Sequence, residues 1–319
     1  MMLDIYVTHY KEPWEVGADG FRMLASQHGV DWSQVRVTLV HDGTDPFPEE
    51  YFEGMPFPVR QVSIPHGGIA AARNWCIDDS GGEWIKWNDF DDMFYSVHSL
   101  KDIMNVLPAE KYDLLWFELL VEDGMKVFNR PKRDPIFVHN KLIRRKFLLD
   151  HQIRFNEGLI WCEDSAFWAI VEMEIDHQRI GKVSGLAPLY LYICRQGSLC
   201  NRPEILFDNL QSFFARHCYV AEAFLERGRM DEYYSMVVRT MGDSYYTLCK
   251  CPGMKGKDTR EFEKRVWAWY DERREAFWKC RPEMFQRVLA AVNRERHDGG
   301  EITEEEFIGW IRNHERGET

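Results

Sequence analysis

The chain has 319 residues, 45% hydrophobic and 14% aromatic, enough apolar material for one large domain or one domain with a substantial appendage. A formal charge of -12 and a sequence pI of about 5.4 argue against a protein that coats nucleic acid or an anionic membrane, since both need a basic surface. Eight cysteines, at 76, 162, 194, 200, 218, 249, 251 and 280, form no CxxC pair and no regular framework, and read as reduced thiols.

The opening MMLDIYVTHYKEP lacks the basic start and long apolar stretch of a secretory signal. Apolar runs such as LAPLYLYIC fall well short of the roughly 20 residues a spanning helix needs, so no transmembrane segment and a cytoplasmic location are expected. LDIYVTHY predicts a buried strand, EVGADGFRMLASQHG a helix closed by Gly29, and VRVTLVHDG a second strand ending in a turn. PVRQVSIPHGG predicts a third strand, IAAARNWCIDDSG a helix stopped by Gly81 and Gly82, and EWIKWND a fourth strand. Strands alternating with helices at this spacing imply an α/β fold, a mostly parallel sheet with helices on both faces. Such sheets bind ligands at the carboxyl ends of their strands.

Further on, SVHSLKDIMNVLP predicts a helix, YDLLWFELLVEDG a strand with a turn, and HNKLIRRKFLLDHQI a helix. FNEGLIWCEDSAFWAIVEME predicts a loop entering a helix, and LAPLYLYICRQGS a late strand. From about Pro203 the texture turns charged and amphipathic, with Leu210, Phe213, Phe214 and Phe224 near helical spacing and a Thr303–Glu306 capping box. The expected division is a domain over 1–203 and a helical region over 204–319. Aromatic stripes such as WAWYDERREAFW read as buried helix faces, and the helical region could cap an acceptor groove, dock a partner or form a homodimer.

KWNDFDDMF sets Asp89, Asp91 and Asp92 where the fourth strand runs out. A solvated acidic turn is one reading. A calcium loop needs ligands spread over a dozen positions around a glycine, a pattern absent here. The third reading is a Mg²⁺ or Mn²⁺ site in which one or two carboxylates hold the ion and a diphosphate supplies further oxygens, and strand-end placement favours it. Asp42, at another strand end, could accept hydrogen bonds from a base or ribose. Arg73, on the helix after two glycines, is a candidate partner for phosphate oxygens.

The order of IYVTHYKEP, VTLVHDGTD, HGGIAAARNWCI, EWIKWNDFDD, NKLIRRKFLLDHQIRFNEGLIWCED and LYICRQGS, over about residues 3–200, resembles the inverting nucleotide-sugar glycosyltransferases of family 2. The resemblance implies the GT-A fold, a metal-dependent hexosyltransferase-like enzyme, and a donor linked to a nucleoside diphosphate, UDP first among them. It implies that Thr8, Tyr10 and Glu12 line the nucleoside pocket, that Asp42 reads the base, and that Arg73 sits beside the pocket. Asp89 would touch the ribose or donor sugar and Asp91 would be the principal ligand of Mn²⁺ or Mg²⁺, shared with Asp89, while Asp92 would be structural or would support the ligands from behind. Asp164 would be the catalytic base, and Glu163 would shape the acceptor site. Trp161 would be either a sugar platform there or a core residue. Arg195 and Ser198 would lie on a segment closing over the diphosphate. Two departures stand out: the usual acidic pair of the second motif is His41–Asp42 here, and a further histidine ligand could be His139, His177 or His217.

The implied reaction is a single displacement. A divalent ion stabilises the departing diphosphate, and Asp164 takes the acceptor proton as general base. Glu163 and Asp164 would also suit a helix start on dipole grounds alone. The acceptor is expected to be a hydroxyl of a glycan. A modified nucleobase in DNA is an alternative that salt-sensitive DNA binding would reveal, and an inert nucleotide-sugar-binding scaffold is a third reading that intact Asp89, Asp91 and Asp164 oppose.

Overall fold

A computed structural model describes residues 2–122, 126–130, 133, 136–185, 187–194, 206–296 and 299–318. It divides into two compact units, Met1–Arg202 and Pro203–Thr319.

The first unit runs β1 (Leu3–His9), α1 (Trp14–Ala25), β2 (Val35–Asp42), β3 (Val59–Ile64), α2 (Gly68–Asp79), β4 (Trp84–Asp89), β5 (Met93–Phe94) and α3 (Ser99–Met104). It continues with β6 (Leu114–Trp116), β7 (Leu119–Glu122), β8 (Val127–Arg130), β9 (Lys141–Arg144), α4 (Arg145–Asp150), α5 (Glu163–Glu174), β10 (Ile180–Lys182) and β11 (Tyr190–Ile193). Seven strands form the main sheet in the order β10-β6-β9-β4-β1-β2-β3. β1 to β4 pair in parallel, and β9 runs antiparallel between β4 and β6. β1 lies at the centre with all seven residues buried, which explains its continuous apolar run in place of alternation. A smaller sheet, β5-β11-β7-β8, stands beside it.

Local chemistry sets the joints. α1 turns Gly17, Ala18, Phe21 and Leu24 inward at helical spacing. A Cβ at Gly20 would lie 2.7 Å from the Asp92 carbonyl oxygen, so this glycine lets α1 approach the loop after β4. After α2, the buried Asp4 carboxylate accepts from Ser80 Oγ and from the Gly81 and Gly82 N–H groups, pinning the turn into β4.

Three segments differ from the sequence expectation. YDLLWFELLVEDG divides into β6 and β7, which join different sheets. The break falls at Phe117, whose N–H donates to the Asn140 carbonyl while the Asn140 side chain donates to the Phe117 carbonyl, both at 3.1 Å. HNKLIRRKFLLDHQI begins as a strand, because Leu142 and Ile143 bury themselves between β4 and β6, and turns helical only at Arg145. α1 ends at Ala25, before Gly29.

The second unit comprises α6 (Leu206–Glu226), α7 (Met230–Tyr245), α8 (Arg260–Trp278), α9 (Pro282–Glu295) and α10 (Glu304–Glu315). Val237, Met241, Val266, Tyr270, Val292, Phe307 and Ile311 form its core. Thr303 and Glu306 make the reciprocal capping box that opens α10. Trp267, Tyr270 and Phe277 of α8 face inward, and Trp278 is 43% exposed. No helix among the described residues is long and apolar enough to cross a membrane.

Candidate active site

Parallel pairing brings the carboxyl ends of β1, β2 and β4 to one edge, with Thr8 opposite Asp89 and His9 opposite His41. The Thr8 hydroxyl lies 3.4 Å from both the Asn88 carbonyl and Asp89 Oδ1.

Arg73 is the hub. It projects from α2, is 2% exposed, and donates through Nη2 to Asp89 Oδ1 at 3.0 Å. Its Nη1 donates to Glu163 Oε1 at 3.0 Å and to Asp164 Oδ1, both in the first turn of α5. The residue expected beside the donor pocket thus spans three carboxylates from two elements, and its charge is committed to them in this arrangement. Burial pushes the Asp164 carboxyl up to about 7 against the pull of Arg73, with Glu163 adding to the rise. Burial also disfavours the Asp89 carboxylate, but His139 and Arg73 outweigh it and hold this group below its ordinary value. Two nearby carboxylates are therefore driven apart, one firmly ionised and one poised near neutrality.

Asp89, Asp92 and His139 each offer a ligand atom within 4.8 Å of the others. His139 Nδ1 lies 3.8 Å from Asp89 Oδ2 and 3.6 Å from Asp92 Oδ2. Both His139 Nδ1 and Asp92 Oδ2 are buried without a hydrogen-bond partner. Buried polar atoms normally have partners, so two such atoms facing one carboxylate fit the ligand set of a cation. Two oxygens and an imidazole nitrogen suit Mn²⁺, and the carboxylates also suit Mg²⁺. Asp92, expected to be structural or supporting, belongs to this group, while its other oxygen accepts from the Ile193 N–H at 3.1 Å. Asp91 lies outside the group, half-buried beside it, and its charge helps to raise the Asp92 carboxyl after burial and Asp89. Of the three histidines left open by the sequence, His139 is in the group. His177 opens a 3-10 turn, and His217 belongs to the second unit, 3.6 Å from Asp243.

Tyr10 is 39% exposed, and its ring stacks on His66 at 4.4 Å and 8°. Glu12 Oε2 accepts the Tyr10 N–H at 2.9 Å. Asp42 is 4% exposed and its carboxylate takes the Gly67 and Gly68 N–H groups at 2.8 and 3.0 Å and lies 2.9 Å from His66 Nδ1. In this arrangement it caps the amino end of α2. Trp161 is half-buried on the loop before α5, next to the 80% exposed Ile160. Cys162 follows with φ 65°, a left-handed conformation rare for a side-chain-bearing residue, and its carbonyl accepts from Ser165 Oγ and the Ala166 N–H. Asn74 braces the loop upstream, exchanging hydrogen bonds with the Phe155 backbone. Arg195 and Ser198 lie outside the described residues.

Sequence reasoning missed two buried lysines. Lys86, 0% exposed in β4, donates to the Trp87 carbonyl at 2.6 Å, with its ammonium 4.3 Å from the Tyr190 ring centre. Burial drives its pKa far down, opposed by Asp92 and Asp89. Lys141 in β9 lies 4.8 Å from the Trp168 ring centre. The signal for Lys86 was its position inside a strand flanked by the apolar Trp84, Ile85 and Trp87.

A mostly parallel α/β sheet bearing an acidic loop after its fourth strand and a second acidic pair on a later helix start is the arrangement of the GT-A fold. Residues 4–170, more than half of the chain, match the model of glycosyl transferase family 2, and the protein belongs to that family. It is 33% identical over 94 residues to the succinoglycan biosynthesis protein ExoM of Rhizobium meliloti (strain 1021), a match over 28% of this chain and only 30% of ExoM. Crystal structures of S. aureus TarS 1-349 share the fold. The complex with UDP matches with a TM-score of 0.63 at 16% identity, over 99% of this chain and 92% of that one. The complex with UDP-GlcNAc matches with a TM-score of 0.63 at 18% identity and the same coverage.

Proposed function

We propose that this glycosyltransferase moves a sugar from a UDP-sugar to a glycan hydroxyl by one inverting displacement assisted by Mn²⁺ or Mg²⁺. The observation that carries the reading is the Arg73 clamp, which ties the donor-side Asp89 to the acceptor-side Asp164. Asp89, Asp92 and His139 would hold the ion, with Asp91 adding a further carboxylate beside it. The ion supplies positive charge to the departing diphosphate. Thr8, Tyr10 and Glu12 line the nucleoside side, and Asp42 shapes the His66–Gly68 turn against which the base rests. Arg195 and Ser198 keep the diphosphate-facing role that the family resemblance gives them.

On the opposite side, Asp164 accepts the proton of the attacking hydroxyl. A carboxyl pushed up to about 7 is a far better proton acceptor at neutral pH than an ordinary carboxylate. Arg73 fixes its orientation, and Glu163 and Trp161 border the acceptor. The UDP and UDP-GlcNAc complexes of TarS support UDP as the nucleotide. The net charge of -12 favours a neutral glycan over DNA.

Inversion can be tested before the acceptor is known. Time-resolved proton NMR of slow UDP-GlcNAc hydrolysis by the enzyme with Mn²⁺ should show the β anomer of the released sugar first. Initial release of the α anomer would contradict the single displacement.

A further inference from the structure

His9 and His41 face each other at the ends of β1 and β2. Their rings are 4% and 0% exposed, packed against Phe47 and, for His9, Phe90. The two Nδ1 atoms are 2.9 Å apart. Each imidazole nitrogen either donates or accepts, so the outer nitrogens decide what the inner pair can do. His9 Nε2 lies 2.7 Å from the Glu12 carbonyl oxygen, which only accepts, and therefore carries hydrogen. His41 Nε2 lies 3.0 Å from Gln61 Oε1. The Gln61 amide has one sensible orientation: Oε1 accepts the Phe47 N–H at 2.8 Å, while Nε2 donates to the Phe47 carbonyl at 2.9 Å and to Glu49 at 3.2 Å. Turning the amide over breaks all three bonds. His41 Nε2 therefore carries hydrogen as well. Two neutral rings of that tautomer would point lone pairs at each other across 2.9 Å. One added proton converts the clash into a charge-assisted hydrogen bond.

We propose that His9 and His41 share one proton, and that this cationic pair holds the Tyr10–Glu12 turn in its donor-binding shape. The role in donor binding rests on the nucleotide-site reading above. The link runs through Glu12: its carbonyl is held by His9 Nε2, its carboxylate lies 4.0 Å from the same nitrogen, and that carboxylate holds the Tyr10 N–H. Between them Lys11 sits at φ 64°, a conformation that persists only where neighbouring bonds enforce it. Glu12 lies 4.0 Å from His9 Nε2, and at His41 the hydrogen bond to Gln61 and the charge of Asp45 after β2 favour the protonated ring. Burial and the second imidazole oppose it, and together they push His41 down from its ordinary value. Phe47 packs against both rings and Phe90 against His9. Raising the pH removes the shared proton and returns the pair to two neutral rings. Once it is gone the Nδ1 contact opens, the Thr44 hydroxyl, 3.3 Å from His9 Nδ1, becomes the donor to that nitrogen, and the turn loosens. Donor affinity then falls as pH rises.

The test is ¹⁵N-histidine NMR on the full chain without ligand, with His41→Gln used for assignment, beside UDP titrations in Mn²⁺ from pH 5 to 9. At low pH one ring of the pair should show both nitrogens protonated and the other only Nε2. UDP affinity should drop about tenfold through the same midpoint, a typical size for linked equilibria. Gln61→Glu sets a carboxylate against His41 Nε2 and should move both midpoints up by about one unit or more, a change that simple damage to the fold would not produce. Two neutral rings with an Nδ1–H tautomer throughout, or midpoints unmoved in Gln61→Glu, would overturn the shared proton. A shared proton with pH-independent UDP affinity would overturn the positioning role, and a shared proton with no UDP binding at any pH would instead refute the nucleotide-site reading.

Discussion

Arg73 and Asp164 hold opposite ends of one electrostatic arrangement, and each has its own signature. Burial raises Asp164 to about 7, so below that pH it is largely protonated and, as the proposed base, would not take the hydroxyl proton. kcat/KM should therefore fall about tenfold per unit below the midpoint and level off above it, measured by UDP release across pH 5.5 to 9. Asp164→Asn should lower kcat by about 10² to 10⁴ while leaving the Kd for UDP unchanged. A kcat within about tenfold of wild type would assign the base elsewhere. For Arg73 the expectation concerns stability first. Arg73→Met strands Asp89, Glu163 and Asp164 without their shared cation, and should cost about 3 to 5 kcal/mol in urea unfolding. A loss under about 1 kcal/mol would show that water already compensates these carboxylates.

At the scale of elements, helix and strand junctions carry the site. Gly20 of α1 makes room for the Asp92 carbonyl, so Gly20→Ala should cost about 1 to 3 kcal/mol and weaken Mn²⁺ binding, read by calorimetry against the unchanged wild-type carboxylates. An alanine variant with wild-type Mn²⁺ affinity would separate the helix contact from the ion site. The same scale shows what was legible in the sequence. The strands β1 to β4 and helix α2 were readable because their apolar runs and glycine stops are local signals. β9 was not, since KLIRRKFLLD has apolar spacing compatible with a helix, and only the slot between β4 and β6 makes its first half extended. The three aspartates could be seen as a cluster, but which of them meets His139 depends on a residue some fifty positions away in sequence, brought close by folding. Arg73 was noticed for its charge. Its three partners come from β4 and α5, and no spacing rule reports that convergence. Lys86 passed unremarked because a lysine inside a strand normally marks an exposed face.

The whole molecule adds charge and organisation. At -12, its average field repels polyanions, so the enzyme should show no retention on double-stranded DNA at about 150 mM salt, where binding depends on counterion release from basic contacts. Salt-sensitive retention in a gel-shift assay would instead favour a nucleobase acceptor. The family match covers residues 4–170, and the helical unit lies beyond it with a core of its own. The proposed donor chemistry therefore falls on residues of the first unit, and everything proposed for it converges on one ion and one nucleotide. The most direct measurement is a calorimetric titration of UDP with and without Mn²⁺, on the wild type and on Asp91→Asn, Asp92→Asn and His139→Ala. Binding to the wild type that requires Mn²⁺ and is lost in all three variants would support the proposed metal-assisted donor site. Equal UDP affinity with and without the ion, or variants that bind as the wild type does, would contradict it.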